Sequence, residues 1–541
     1  MTTILSIYAG PHDGNLCILQ DGELLINLEK ERFTRKKEDG GFTQDFLQKA
    51  FEETNITIDD IDVVIIDPKT FPREMYTDML QSLEGIPYYD TGKLFAKPYH
   101  QGSGIFLGKK FPVWAIHHHL AHAAGAFFTS PFSDATVITG DGGGWGSNHS
   151  VYVARGGFFK SGYHKWGACL GYWWDKIPLY YGVKQPGTLM AMSAYGENDS
   201  ILKNELLAQL IRYSNSSFPQ YSINYGVEKK DGKPVRMLDP KKKGDANLAF
   251  ALQSLTDDVF TGWFAQAMRT GSKNICFGGG LALNCISNSR AMINSGAENI
   301  HVPPNPNDAG LALGAALAYH YYILNNKYEP SYFSPYNGIK YNDADIDEAI
   351  NYAKSISKNI KVRKVDNDDI STLLAEGNII ARFFGRSESG PRALGHRSYI
   401  SRPDIPKLRM IMNGIKKREW YRPFAPIVLA DEAEVLFEQV VNNSYYMNTS
   451  TVVKKEWRER LAGVLHADNT TRPQFIDSNG CEDLFELLVK TYEKTGIPAI
   501  LNTSFNIKEP LVETPLDAIK TFINSSDYVK YLQIEELCLE K

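Results

Sequence analysis

His118, His119 and His122 stand shortly before Asp141, which is set among glycines at 140 and 142–144. The alanine-rich stretch after the histidines lacks breakers and predicts a helix over 118–128, with His118 and His122 on one face. Residues 135–139 are apolar and β-branched and predict a buried strand that ends in a glycine loop carrying Asp141. Two imidazoles on one helical face and a carboxylate at a strand end are a set able to bind a divalent metal. The glycines leave room for phosphate oxygens to approach backbone N–H groups. Taken alone, the same residues are better described as hydrogen-bonded histidines followed by a tight turn.

Further along, a strand over 275–277 enters Gly278, Gly279 and Gly280 and then a helix, so a second glycine turn follows the one around Asp141. Its recurrence predicts a two-sided phosphate clamp. Asp308 follows a stiff proline-rich entry over 302–307 and reads as the N-cap of a small-residue helix, a sufficient role by itself. The last third sets arginines beside glycine and proline: Arg382, Arg386, Arg392, Arg397, Arg422 and Arg472, with Lys416, Lys417 and Arg418 between them. Asn502 and Ser504 end a buried strand. Arginines repeated at such turns in mixed apolar context differ from an exposed helix face. Guanidinium forks suit bidentate recognition of phosphate or carboxylate, so a small anionic ligand is expected.

The elements that must position these residues have their own pattern. Strands over 4–9, 16–19 and 24–28 are expected, the last two joined by Asp21-Gly22, a hairpin signal. A helix over 44–53 and a buried strand over 63–66 follow. Residues 135–163 repeat the plan: strand, acidic glycine turn, returning strand, turn at Gly156-Gly157. A strand–acidic turn–hairpin unit used twice, with a nucleotide between the halves, predicts the actin/Hsp70-like ATPase fold within the α/β class. The lysine-rich stretch 229–243 reads as an exposed hairpin or loop, 246–268 as a helix, and 328–343 as a linker or edge segment. A second unit begins near Asn359.

The chain has 541 residues, 43% hydrophobic and 22% charged, with formal net charge −5. That length suggests two to four domains of an ordinary globular protein. The acidic balance gives a nucleic-acid role no support, and no apolar run is long enough to span a membrane. The N-terminus lacks a basic n-region and a cleavage site. Six cysteines are scattered without a C-x-x-C pair, which fits a reducing cytoplasm better than a zinc ribbon or a disulfide framework.

These motifs together resemble O-carbamoyltransferases of the antibiotic and Nod-factor type, in order over about residues 4–525. The strings Gly390-Pro391-Arg392-Ala393-Leu394-Gly395 and Asn502-Thr503-Ser504-Phe505-Asn506 carry most of the resemblance. It implies an actin-like carbamoyl-transfer domain over 1–345, similar to the tRNA threonylcarbamoyl-transferase subunit. A smaller α/β domain over 346–541 would form carbamoyl adenylate from carbamoyl phosphate and ATP. The carbamoyl group would then pass to a hydroxyl of a small natural product. By motif position, the resemblance implies His118, His122, Asp141 and Asp308 as ligands of ferrous iron, although such a donor set suits other divalent metals as well; Mg(II) is a further expected ion. It gives Gly142, Gly143, Gly278, Gly279, Gly280 and Asn284 to the nucleotide, with Lys37 reaching toward the ligand. Arg392, Lys417, Arg472, Asn502 and Ser504 would bind carbamoyl phosphate, with Arg392 also acting in catalysis. His12 and Asp13 would approach the acceptor hydroxyl, His12 as general base. A homodimer is compatible with this reading, and neither nucleic acid nor membrane is an expected partner.

Thr188, Ala191, Glu38 and Thr43 depart from the pattern at positions where relatives often carry Lys, Gly, His and Pro, which bears on the acceptor more than on the chemistry. The rivals are a threonylcarbamoyl-adenosine-type tRNA transferase, a hydrogenase-maturation carbamoyltransferase, a zinc peptidase and a non-enzymatic actin-like ATP-binding regulator. The acidic balance and the Arg-rich second unit argue against the first. The second would carry an acylphosphatase module and zinc fingers. His119 stands where an H-E-x-x-H peptidase needs Glu. The regulator has no use for Arg392, Arg472 and Asn502.

Overall fold

Two sheets of the computed structural model share one plan, and the candidate residues lie where they meet. It describes residues 1–67, 79–87, 97–144, 146–165, 167, 170–180, 182–183, 185–214, 229–230, 233–234, 238–357 and 359–541. In the first sheet β1 (Thr3–Tyr8), β2 (Asn15–Gln20) and β3 (Glu23–Glu29) run antiparallel in succession. The β2–β3 turn holds Asp21 at φ 49° and Gly22 at φ 92°, the left-handed pair that a two-residue hairpin of matching twist requires. Next come β4 (Val63–Ile66), β5 (Leu80–Glu84), β6 (Tyr99–Phe106) and β7 (Lys109–Ile116). The order is β3-β2-β1-β4-β7-β6-β5, with β4 parallel to β1 and to β7.

The second sheet repeats this with β8 (Ala135–Gly144), β9 (Ser147–Arg155) and β10 (Phe158–Lys165) antiparallel. In the lysine-rich stretch β11 (Lys229–Lys230) and β12 (Lys233–Pro234) pair with each other; residues 231–232 and 235–237 lie outside the described residues. β13 (Asn274–Gly278) and β14 (Asn299–His301) then extend the sheet parallel to β8, in the order β10-β9-β8-β13-β14. Three antiparallel strands continued by parallel ones, used twice, are the duplicated plan of the actin/Hsp70-like fold.

The third sheet contains β15 (Lys361–Lys364), β16 (Ile379–Phe383), β17 (Arg397–Ser401) and β18 (Ala425–Leu429). After the separate pair β19 (Thr451–Val452) and β20 (Thr470–Thr471) come β21 (Gln474–Ile476), β22 (Ala499–Ser504), β23 (Val529–Ile534) and β24 (Leu537–Glu540). Its order is β15-β24-β23-β16-β17-β22-β18-β21. The period-2 alternation of strands divides its apolar residues between two faces: Phe383, Tyr399 and Leu501 on one, Ile380, Ile400 and Ile500 on the other. A helix over Asp343–Ile356, capped reciprocally by Asn342 and Asp345, packs Ile346, Ala349, Ile350 and Ala353 into the first of these cores. The division expected at 345/346 falls inside this helix. The stretch before it is held down rather than free: the Tyr328 hydroxyl donates to Ser130 O at 2.6 Å and that of Tyr336 to Leu394 O at 2.8 Å.

The helix His118–Phe127 contributes Leu120, Ala123 and Phe127 to the core shared by the first two sheets. It crosses the helix Leu311–Leu317 at Gly125 and Gly314; a Cβ on Gly314 would lie 2.1 Å from Ala121 O. Backbones meet here because neither helix carries a side chain at the crossing. That contact brings Asp308, which opens the 3₁₀ turn leading into the second helix, within reach of the histidines. One expectation changes. β8 does not end at residue 139 but runs to Gly144, with a register shift between Gly140 and Gly144. Asp141 therefore sits in an irregular, bulged part of a strand, a place where bulges re-aim side chains, and not in an open glycine loop.

Candidate metal centre and anion site

His118 and His122, one helical turn apart, bring their Nε2 atoms to 3.2 Å. Asp141 Oδ2 lies 2.9 Å from His118 Nε2 and 3.4 Å from His122 Nε2, and Asp308 Oδ1 lies 3.6 and 3.4 Å from the same atoms. The four ligand atoms fall within 4.8 Å of one another. Burial alone would lower the pKa of His122, yet contacts with Asp141 and Asp308 raise it to about 9. Asp141 is held well below the usual carboxylate range, against its burial, by His118 and His122. Two imidazole nitrogens with two carboxylate oxygens at these distances fit a divalent ion. Asp308 is not the cap it resembles in sequence. Asn307 occupies the N-cap position of the short 3₁₀ turn, and Asp308 turns its side chain to the histidines and to Tyr8.

Three of the four candidate ligands, Asp141, Asp308 and His118, have a further contact outside the cluster, and most of these were missed in the sequence. Asp141 Oδ1 accepts the Gly280 N–H at 3.4 Å, and Asp308 Oδ2 accepts the Tyr8 hydroxyl at 2.6 Å. Asn15 donates to Asp308 O and accepts from Ala312 N, both at 2.9 Å. Asp67, 3.7 Å from His118 Nδ1, ends the buried strand β4 much as Asp141 follows the buried part of β8. That parallel was the available signal. Tyr8 gave none, since a tyrosine in a buried strand reads as core.

The glycine turns are arranged differently from a two-sided clamp. Gly278 pairs with Thr139 in adjacent parallel strands, so both turns lie side by side at one end of one sheet. A Cβ on Gly278 would lie 2.7 Å from His122 O, and one on Gly279 2.3 Å from Gly140 O. Their missing side chains are thus required by packing, and the Gly279 N–H is used by Pro306 O at 2.7 Å. Among the described residues, only Tyr172 N would come as near as 4.0 Å to a Cβ at Gly142, and Gly143 has φ 142°. Asn284 caps the helix Cys285–Ser295 and exchanges hydrogen bonds with Gln253. At the turn after β1, His12 is exposed beside Asp13, at 3.1 Å, and Asp13 has φ 57°. Asn307 donates to Asp13 at 3.4 Å, which places this turn next to Asp308.

A second cluster gathers on the third sheet. The Nε atoms of Arg392 and Arg472 are buried without hydrogen-bond partners, as is Asn502 Oδ1. Burial, then Arg472, lowers the pKa of Arg392 to about 9. Arg418 is lowered by burial, Arg422 and Arg472, and Arg422 by burial and Arg472 against the pull of Glu419. Such a gathering of like charges out of water is costly unless an anion occupies it. Asn502 donates to Ala393 O at 2.9 Å, which ties the strand end to the Arg392 turn. Ser504 accepts from Lys416 at 2.9 Å, and Lys416 also donates to Asn506 Oδ1 at 2.6 Å. Lys416, not Lys417, is therefore the lysine of this cluster, whereas Lys417 is exposed at φ 47°. Burial, Arg418, Lys37 and Arg422 hold Lys416 well below its usual range. Lys37, on the loop after β3, is itself lowered by desolvation and by Arg422, against Glu31.

One turn joins the clusters. Arg32 donates to Gly390 O at 2.6 Å, the Gly390 N–H donates to Glu29, and Asn27 donates to Ser389 Oγ at 3.0 Å. Gly390, at φ 93°, leaves no room for a Cβ, which would lie 2.1 Å from Pro304 O. Arg392 follows two residues later, close enough to Cys285 to interact with its thiol.

Fold and site together define a duplicated α/β enzyme with a metal-type donor cluster, joined to a sheet that concentrates cations. Profiles described as carbamoyltransferase N-terminus and carbamoyltransferase C-terminus match residues 3–317 and 371–541. The chain belongs to the carbamoyltransferase family, which removes the non-enzymatic rival. It is 30% identical to an uncharacterized protein of Synechocystis over 100% of this chain and 97% of that one. It is 29% identical to nodulation protein NolNO of Sinorhizobium fredii, over 95% of this chain and 77% of that one. With nodulation protein U of Azorhizobium caulinodans the identity is 26%, over 92% of both chains. The activator of 2-hydroxyisocaproyl-CoA dehydratase from Clostridium difficile overlaps 60% of this chain and 96% of its own, at 18% identity and TM-score 0.33. No described helix is long and apolar enough to cross a membrane.

Proposed function

We propose that this carbamoyltransferase uses carbamoyl phosphate and ATP to make carbamoyl adenylate at the cation cluster, and transfers the carbamoyl group to a hydroxyl of a small natural product at the donor cluster. The observation that carries the reading is the pair of half-buried arginines Arg392 and Arg472, close enough to interact, whose buried Nε atoms have no hydrogen-bond partner. Two forks and the Lys416 ammonium suit a phosphorylated carboxylate. Water cleaves the P–O bond of carbamoyl phosphate to release inorganic phosphate and leave carbamate, a carbamate oxygen attacks the α-phosphorus of ATP, and pyrophosphate departs. The acceptor oxygen then attacks the carbamoyl carbon, its proton leaves to a base, and AMP departs. Activation is needed because nitrogen donates into the carbamate carbonyl and makes it a poor electrophile.

Arg392, Arg472, Lys416, Asn502 and Ser504 would bind and orient carbamoyl phosphate, with Lys37 closing the site from the first unit. The backbone at Gly142, where no described residue crowds a Cβ, is the part of the glycine turns best suited to nucleotide, with Gly143 next to it. His12, exposed at the turn next to Asp308, would take the acceptor proton with Asp13 orienting its ring. His118, His122, Asp141 and Asp308 would hold a divalent ion, Fe(II) on the family resemblance. Such an ion supplies Lewis-acid polarisation of oxygen when bound.

Purified protein incubated with ATP, carbamoyl phosphate and Fe(II) is expected to form carbamoyl adenylate, detected by mass spectrometry. Arg392→Ala should abolish it. Failure of the wild type to form it, with identical behaviour of the variant, would overturn the reading. His118→Ala and Asp308→Ala should lose bound metal and slow transfer, while adenylate still forms.

A further inference from the structure

Both carboxylates of the donor cluster show one oxygen to the histidines and engage the other elsewhere. Asp141 gives its second oxygen to the Gly280 N–H. Asp308 gives Oδ2 to the Tyr8 hydroxyl, a buried contact at 2.6 Å between β1 and the turn before Leu311. Tyr8 is 1% exposed and Asp308 5%, so the contact is shielded from bulk water. Without the phenol, Oδ2 would lose this hydrogen bond and could turn with Oδ1 toward a cation. Its backbone cannot move to compensate: Asn15 holds Asp308 O and caps Ala312 N from β2. On the far side of the cluster Asp67 faces His118 Nδ1 at 3.7 Å and suits the tautomer that leaves Nε2 free as a ligand.

We infer that Tyr8 is a positioning residue that holds Asp308 monodentate and so keeps coordination positions free at the metal centre for acceptor or carbamoyl oxygen. The inference rests on the metal reading of the His118, His122, Asp141 and Asp308 cluster. A monodentate pair of carboxylates with two imidazoles supplies four protein donors, whereas a bidentate Asp308 would supply a fifth and occupy space meant for substrate. Tyr8 touches no reacting atom; it acts through Asp308.

The test uses Mn(II) and the full-length protein. Affinity is measured by electron paramagnetic resonance titration, and carboxylate binding by metal-minus-apo infrared difference spectra of protein carrying 13C-labelled aspartate. Monodentate carboxylates separate their antisymmetric and symmetric stretches widely, bidentate ones narrowly. The wild type is expected to show wide separations only. Tyr8→Phe should bind Mn(II) about 10- to 100-fold more weakly, the usual cost of losing an outer-shell partner, and gain a narrow pair. Ile7→Val, on the same strand with its side chain on the opposite face, should lose some melting temperature while leaving affinity and spectrum unchanged. Equal affinity and spectrum in Tyr8→Phe would overturn the inference, and so would a narrow pair in the wild type. The wild-type spectrum therefore decides even if the variant does not fold. If the wild type takes up no divalent ion, the metal reading itself falls.

Discussion

Lys416 and Lys417 are adjacent in sequence and opposite in surroundings. The helix Leu408–Ile415 ends at Lys416, and the left-handed conformation of Lys417 turns the next side chain outward. Nothing in two consecutive lysines reveals which one a helix end will bury, so this position was the least legible of the anion-site residues, while Arg392 and Arg472 were marked by flanking Pro and Gly. Lys416→Met should reduce adenylate formation by about 10- to 100-fold, since a buried bond to a charged group contributes about 1.5–3 kcal/mol. Lys417→Met should leave the rate near wild type; a steady-state comparison of the two checks this. Buried histidines set the acid response. His301 is held at about 3 by burial, and His149 at about 4 by burial and then Lys165. Both are neutral in the folded protein over a range where the unfolded chain takes up protons near pH 6.5. Their contribution is present above that pH and lost progressively as pH falls toward 4, on the order of a few kcal/mol. Melting temperature should fall over that window, and less steeply in His301→Gln.

At the scale of elements, most of the fold followed from periodicity. β4 falls where its apolar run lies, the helix Gln44–Thr54 where its pattern does, and the Asp21-Gly22 turn where its residue types require. The bulged end of β8 was hidden, because a run of glycines reads as a loop whether or not a neighbouring strand keeps it extended. The crossing of His118–Phe127 over Leu311–Leu317 was hidden too: Gly125 and Gly314 are far apart in sequence, and only packing makes them partners. Gly314→Val would force the two backbones apart and carry Asp308 from the histidines. Overpacking of this kind costs about 1–3 kcal/mol. The variant should melt earlier and retain less than stoichiometric divalent metal by elemental analysis, even when folded by circular dichroism.

For the whole molecule, the charge imbalance of the third sheet is a stability statement. Arg392, Arg418, Arg422 and Arg472 crowd together with their guanidinium pKa values lowered or their Nε atoms unpartnered. An anion that binds the folded state alone stabilises it by about 2.7 kcal/mol at a hundred times its dissociation constant. Millimolar pyrophosphate should therefore raise the melting temperature of the wild type, and the rise should shrink in Arg472→Ala. The site draws on both ends of the chain, which no local motif announces. Arg35, two residues before Lys37, donates to Pro510 O at 2.7 Å and to Leu511 O, and thereby fastens the loop after the short helix Lys30–Thr34 to the second unit. Lys37 is held in place by that fastening. If the two units were expressed as separate chains, the cation cluster would lack a member, and a hydrolysable intermediate would have to find its acceptor by diffusion. On the proposed route, joining the units would make the second event intramolecular, at the millimolar effective concentration that short connections give. The loop that carries Arg35 and Lys37 would then make handover independent of how dilute the protein is.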